Sequence, residues 1–327
     1  MEYINLHNTG CLPDPIDERD YIYQPMGAGI PVVDWEKGYD IESIVGKINP
    51  KNQFGSYSCV GQATSYYTSV LERLETGKKD EVSAKAVYSQ ISLGNNQGAY
   101  LRDGMKLIQE WGAVFENIVK SYKADGTTDE TFMMDKTWKT PEVDKLAKVL
   151  QAKDYRLITG IGIDIFAQAI KDGYGALIGV NGTNNGTWTS EFPQPPTLST
   201  PQNALWGHAL YAGKFKMING KKYIGVINSW GNIGNNGWQW LGEEWFADEG
   251  RWIFNPWTLI DSSNNKNMLK KETGKPHVYF TNDKTMTKVM VVDMETLNAL
   301  GGEFMEVETL SNYTDAGTFV WVPRTIN

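Results

Sequence analysis

The sequence predicts an α+β fold of two lobes, a helical lobe followed by a lobe of antiparallel strands. Three observations carry this. Apolar residues recur with a helical period between Cys59 and about Gly173. From Ala176 onward the period becomes that of strands, with the hairpin signal Asn219-Gly220 among them. Helices precede strands rather than alternating with them, which argues for separate layers over βαβ units.

Met1 to about Gly29 holds Pro13, Pro15, Pro25 and the charged run at 17–20. Each proline bars helix at and before it, so this stretch reads as an extended lead segment. From Cys59, the residues Val60, Ala63, Tyr67, Val70, Leu71 and Leu74 fall on one helix face, and Gly77 suits a left-handed C-cap. Asp103 is placed to cap a second helix carrying Met105, Leu107, Ile108 and Trp111, stopped by Gly112. Thr140-Pro141 opens a third, with Val143, Leu146, Ala147 and Leu150 inward, and Asp164 opens a fourth ending near Gly173.

Residues 176–180 form a short apolar strand, and 207–217 and 222–228 flank the Asn219-Gly220 turn. The polar stretch between, 181–206, is a long loop of the kind that usually serves function. Residues 30–261 are expected to form the main domain and Ser262 to Pro276 a polar linker. Residues 277–327 read as a small accessory β-rich module, with a short helix from Asp293 carrying Leu297 and Leu300 and ended by Gly301.

Composition narrows the function. Lys and Arg total 31 against 39 acids, a net charge of −8 with no cationic stripe, so no nucleic-acid partner is expected. No stretch suits a membrane span, and the start MEYINLHNTG carries an acid and no apolar core. The expectation is therefore a cytoplasmic or virion-associated protein rather than a classically secreted one. Two cysteines, Cys11 and Cys59, exclude a disulfide scaffold and suit a reducing compartment. The reading calls for no metal and no cofactor.

Only His7, His208 and His277 are available for histidine chemistry. Cys59 follows a Gly/Ser-rich turn at a helix start, where the macrodipole favours thiolate. His208 begins one strand of the hairpin and Asn228 ends the other, so antiparallel pairing brings the two together. That supplies a nucleophile, a base and an orienting group. Alone, Cys59 suits a buried structural thiol and Trp230 a core residue. Their company, Gln53 six residues before Cys59 and Asn228-Ser-Trp-Gly, favours chemistry. Cys11 reads as a spare thiol.

With these residues the chain resembles the papain-like (C1-like) cysteine peptidases, of a bacterial or phage type without a long prosegment. Cys59 and His208 are separated by about 150 residues and Cys59 and Asn228 by about 170, at and slightly beyond the family's usual ~130–150. IPVVDW at 30–35 resembles the start of the mature domain, 101–116 the segment after the second helix, and NSWGNIGNNGW at 228–238 the block that carries the orienting asparagine. The resemblance implies Cys59 as nucleophile, His208 as base and acid, and Asn228 as orienter shielded by Trp230. It implies Gln53 and the Cys59 N–H as oxyanion donors, with Tyr57, Ser58 and Gly207 along a substrate cleft between two lobes. Cys59 is then expected to be mostly thiolate at neutral pH.

The chain departs from the family at three places. Tyr57 stands where the family has glycine, Val60 where it has an aromatic residue, and Ser56 where it has a disulfide cysteine. The lead segment is also short, so no folded inhibitory propeptide is expected. The implied activity is hydrolysis of peptide bonds in a peptide or protein through an acyl-thioester at Cys59. The alternatives are a cell-wall peptide amidase or transpeptidase, and a peptidase-like part of a virus particle. The last region is expected to be a packing appendage or a docking module for a partner.

Overall fold

The computed structural model describes residues 10–25, 33–160, 162–248, 250–260, 267–282, 287–291, 305–307, 309–312 and 314–319. Both expected lobes are present. The lead segment supplies the two-residue strand β1 (Cys11–Leu12), and β2 (Tyr39–Asp40) precedes the one-turn α1 (Glu42–Val45). The helical lobe then holds α2 (Cys59–Thr76), α3 (Ala84–Ile91), strand β3 (Ala99–Tyr100), α4 (Leu101–Glu110), α5 (Glu130–Met134) and α6 (Pro141–Ala147).

Helix α2 begins at Cys59 and stops at Gly77, whose φ of 70° is left-handed, as the sequence predicts. The expected single buried face is wrong: every residue from Cys59 to Arg73 is buried. The reason is a sandwich, with α3 and α4 against one side of α2 and the strand lobe against the other. Two of its hydroxyls bond back to the helix, Thr68 to the Thr64 carbonyl at 3.0 Å and Ser69 to that of Ser65 at 2.6 Å. Gly61 admits α3, since a Cβ there would lie 2.6 Å from the Tyr88 Cβ.

Helix α3 has no counterpart in the sequence reading. It is capped by Ser83, whose hydroxyl accepts the Ala86 N–H at 3.0 Å. Helix α4 starts at Leu101, two residues before the expected cap. Strand β3 feeds straight into it, so Asp103 sits in the first turn and faces the helix dipole instead of capping. Helix α6 opens as read, with Pro141 in its first turn and the Thr140 hydroxyl accepting the Val143 N–H at 3.4 Å.

The second lobe holds β4 (Asp154–Leu157), α7 (Ile163–Gly173), β5 (Ala176–Gly182), β6 (Trp206–Ile218), β7 (Lys221–Ile227), β8 (Trp238–Gly242) and β9 (Ile253–Ile260). The strands form one sheet in the order β4-β9-β5-β6-β7-β8, with β2 added on β6. All its pairings are antiparallel. Asn219 (φ 51°) and Gly220 (φ 75°) both take the left-handed turn that a two-residue hairpin needs. Strand alternation splits the sheet between two cores. Leu177, Ala209, Tyr211 and Ile227 join the core containing α2, while Ile178, Leu210, Ala212 and Val226 join Phe166 and Ile170 of α7.

The last region is a second sheet of β10 (Asn267–Glu272), β11 (Val278–Asn282), β12 (Thr287–Val291), β13 (Met305–Val307) and β14 (Thr314–Phe319), in the order β13-β10-β11-β12-β14. Strand β10 corrects the expected linker. Residues 267–272 pair with both β11 and β13, which polarity alone conceals. The sheet leans on α2 and α6 through β10 and β14, and Val291 is buried in the core of the helical lobe. The helix expected from Asp293 lies outside the described residues, as do His7 and residues 30–32 of the IPVVDW stretch.

Candidate active site

Cys59 is the first residue of α2 and is fully buried. The loop before it is tied to the strand lobe through Gln53. The Gln53 N–H donates to the Ser229 carbonyl at 2.8 Å, and the Ser229 hydroxyl donates to Gln53 Oε1 at 2.6 Å. Gln53 Nε2 donates to the Ser56 carbonyl at 2.8 Å, which aims the amide along the loop. Ser58 is not a cleft residue. Its hydroxyl is buried against that of Ser56 at 2.7 Å, because the loop turns the side chain inward before α2 starts.

His208 and Asn228 meet as their hairpin placement suggested, with His208 Nε2 2.8 Å from Asn228 Oδ1. Trp230 stacks on the imidazole with centroids 4.3 Å apart and planes 21° apart. His208 Nδ1 has no hydrogen-bond partner among the described residues. It is the nitrogen left for a nucleophile.

Gln239 escaped the sequence reading. Its Oε1 accepts Asn228 Nδ2 at 2.9 Å, and its Nε2 donates to the carbonyls of Trp188 at 2.7 Å and Ser190 at 2.8 Å. It therefore fixes which way the Asn228 amide points and anchors the 181–206 loop behind the imidazole. The available signal was a lone glutamine inside the apolar run of β8. The tryptophans of this region pack together, Trp188 lying 4.9 Å from Trp206 and 5.8 Å from Trp230 between centroids.

The lead segment crosses this site as an extended strap. The Gly10 N–H donates to Cys59 Sγ at 3.3 Å, and the Gly10 carbonyl accepts the Ala99 N–H at 2.8 Å. Strand β1 runs parallel to β3, pairing Cys11 with Ala99. A Cβ on Gly207 would lie 2.0 Å from the Cys11 carbonyl oxygen, so Gly207 does face this track. Farther along, Asp14 accepts Trp257 Nε1 at 2.7 Å and the Arg102 N–H at 3.2 Å. Asp20 pairs with Arg102, and Tyr23 donates to Asp172 at 2.5 Å. Thus residues 10–25 form a cover over Cys59. Both cysteines are free thiols, and Cys11 is buried in the same track.

The strap also overturns the expected thiolate. Burial pushes the Cys59 thiol up to about 11, outweighing the N–H groups of Ala209 and Gly10 that favour the anion. Burial lowers His208 to about 4 despite its bond to Asn228. Between these values the thiol stays protonated and the imidazole neutral, so at pH 7 the covered pair carries no charge. The N–H groups of Val60 and Cys59 at the helix start also favour the anion, but desolvation is larger.

No protein-family profile matches the sequence, and no curated protein matches it. Solved structures do. Xylellain, a cysteine protease from Xylella fastidiosa, superposes with a TM-score of 0.64 at 20% identity, covering 78% of this chain and 96% of that one. Digestive procathepsin L 3 of Tenebrio molitor larval midgut gives 0.55 at 14% identity, covering 78% and 76%. Procathepsin B S9 from Trypanosoma congolense gives 0.54 at 11%, covering 78% and 87%. With its helical lobe, its antiparallel lobe and these neighbours, the chain has the papain-like cysteine peptidase fold.

Proposed function

We propose that the chain is a cysteine peptidase that hydrolyses peptide bonds through an acyl-thioester at Cys59, and that the strap-covered form is its latent state. The observation that carries the reading is the His208–Asn228 bond under Trp230. It holds the ring by one nitrogen and leaves the other for the thiol.

Once the strap is displaced, water and His208 Nδ1 reach Cys59, and the proton passes from sulfur to imidazole. The thiolate attacks the substrate carbonyl carbon. The resulting oxyanion accepts hydrogen bonds from the Cys59 N–H and the Gln53 amide, worth roughly 3–4 kcal/mol per donor. The imidazolium then protonates the leaving amine as the C–N bond breaks, which leaves the acyl-thioester. Water, deprotonated by His208, attacks that ester and frees the acid and the thiol. Asn228 holds the ring through both half-reactions, and Gln239 holds Asn228.

The test compares a peptide library incubated with the Gly10→Ala chain and with Gly10→Ala/Cys59→Ala. Cleavage that requires Cys59, with a transient mass adduct of the acyl fragment on that residue, is expected. Equal, background-level turnover by both folded proteins would leave a domain that only binds or builds, and the reading would fail.

A further inference from the structure

Two walls close on the strap at the nucleophile. On one side a Cβ on Gly10 would lie 2.1 Å from the Tyr57 carbonyl oxygen and 2.8 Å from the Tyr57 Cβ. On the other, a Cβ on Gly98 would lie 2.0 Å from the Gly10 carbonyl oxygen. These walls come from separate stretches, the irregular loop before Cys59 and the turn before β3. Neither is cross-linked, since Ser56 stands where the related family has a cysteine and both cysteines are free. An extended chain fits between them only if their separation is held.

One buried side chain bonds to both. Glu130, the first residue of α5, is 6% exposed. Its Oε2 accepts the Tyr57 N–H at 2.8 Å. Its Oε1 accepts the Tyr88 hydroxyl at 2.7 Å and the Asn96 N–H, two residues before Gly98, at 3.3 Å. We infer that Glu130 is a positioning residue that sets the width of the cleft beside Cys59 by holding its two walls on one carboxylate. It touches neither the strap nor a substrate, and it would act on both through the same walls. That the cleft also takes substrate rests on the peptidase reading above.

A carboxylate is suited to this because both its oxygens only accept. An amide has one acceptor and must turn an N–H toward one of the two wall donors. Glu130→Gln should therefore release one wall while keeping the volume. Tyr88→Phe removes the third bond to the carboxylate and leaves both walls held.

The experiment uses the full chain and follows iodoacetamide labelling of Cys59 by peptide mass mapping, alongside thermal melting. Because it reads the thiol and not hydrolysis, its failure is distinct from failure of the peptidase reading. Glu130→Gln is expected to label Cys59 about tenfold faster or more, the factor expected for losing a hydrogen bond to a charged group. Tyr88→Phe is expected to label at the wild-type rate even where its melting falls as far. Wild-type labelling in folded Glu130→Gln, or equal acceleration in Tyr88→Phe, would overturn the assignment and leave Glu130 a general packing contact. If Glu130→Gln does not fold, Glu130→Asp replaces it. The shorter side chain no longer spans both walls, and the same two outcomes decide.

Discussion

The strap and the C-terminal sheet are both additions to the two-lobed domain, and they differ in what they reach. The strap is short and irregular apart from β1, yet it places a backbone N–H on Cys59 and adds to the burial that keeps Cys59 and His208 uncharged. The C-terminal sheet is a five-stranded structure with its own pairings, yet its described strands lean on α2 and α6. Size does not decide functional weight here. A few residues entering the cleft do more than a sheet outside it, because desolvating a thiolate costs more than most surface contacts contribute.

The sharpest way to break this comparison is at Gly10. An alanine there would drive its Cβ into the Tyr57 backbone, which cannot move aside as a flexible side chain would. Overpacking of this kind costs roughly 1–3 kcal/mol, so the strap should open about ten- to a hundredfold more often. Labelling of Cys59 in Gly10→Ala should rise by that factor and should no longer wait for pH near 11. Unchanged labelling would mean that the strap does not govern the thiol.

A smaller effect should come from pH acting on Asp14. Burial raises its carboxyl to about 6 in the docked strap, against bonds from Trp257 and Arg102, while neighbouring Asp103 raises it further. The docked form thus holds the proton more tightly than the free strap. Docking is strongest below about pH 4, weakens as pH rises through about 6, and is level above that. The labelling rate of wild type relative to Asp14→Asn should climb roughly ten- to a hundredfold between pH 4 and 7. A flat ratio would remove Asp14 from control of the strap.

The smallest effect on chemistry should follow loss of the C-terminal sheet. In the Gly10→Ala background, a chain ending at Asp261 should cleave a short peptide within about threefold of full length. It should melt several degrees lower, since Val291 leaves the helical-lobe core. A tenfold fall in kcat with normal circular dichroism would place part of the cleft on the last region.

Much of this was legible because it is local. The period from Cys59 to Gly77 marks α2, the Asn219-Gly220 pair marks the hairpin, and Thr140-Pro141 marks the start of α6. The proposed catalytic set was named for a different reason. Cys59, His208, Asn228 and Gln53 each sit in a short motif whose residue types the chemistry requires. Ser58 was misplaced because sequence adjacency to a nucleophile does not say which way a side chain turns. Strand β10 was hidden because polar residues pair on a sheet as well as apolar ones do.

Sequence by itself determined the α+β class, the principal helices and the hairpin, and it named the residues on which the proposed chemistry rests. Those follow from period, turn preference and functional-group identity, all properties of neighbours along the chain. Tertiary structure alone decided that Gly10 lies on Cys59, that Gln239 aims Asn228, that Glu130 holds two walls, and that Cys59 and His208 are neutral while covered. Each joins residues distant in sequence, and the last depends on water excluded by the packed whole, which no local pattern records.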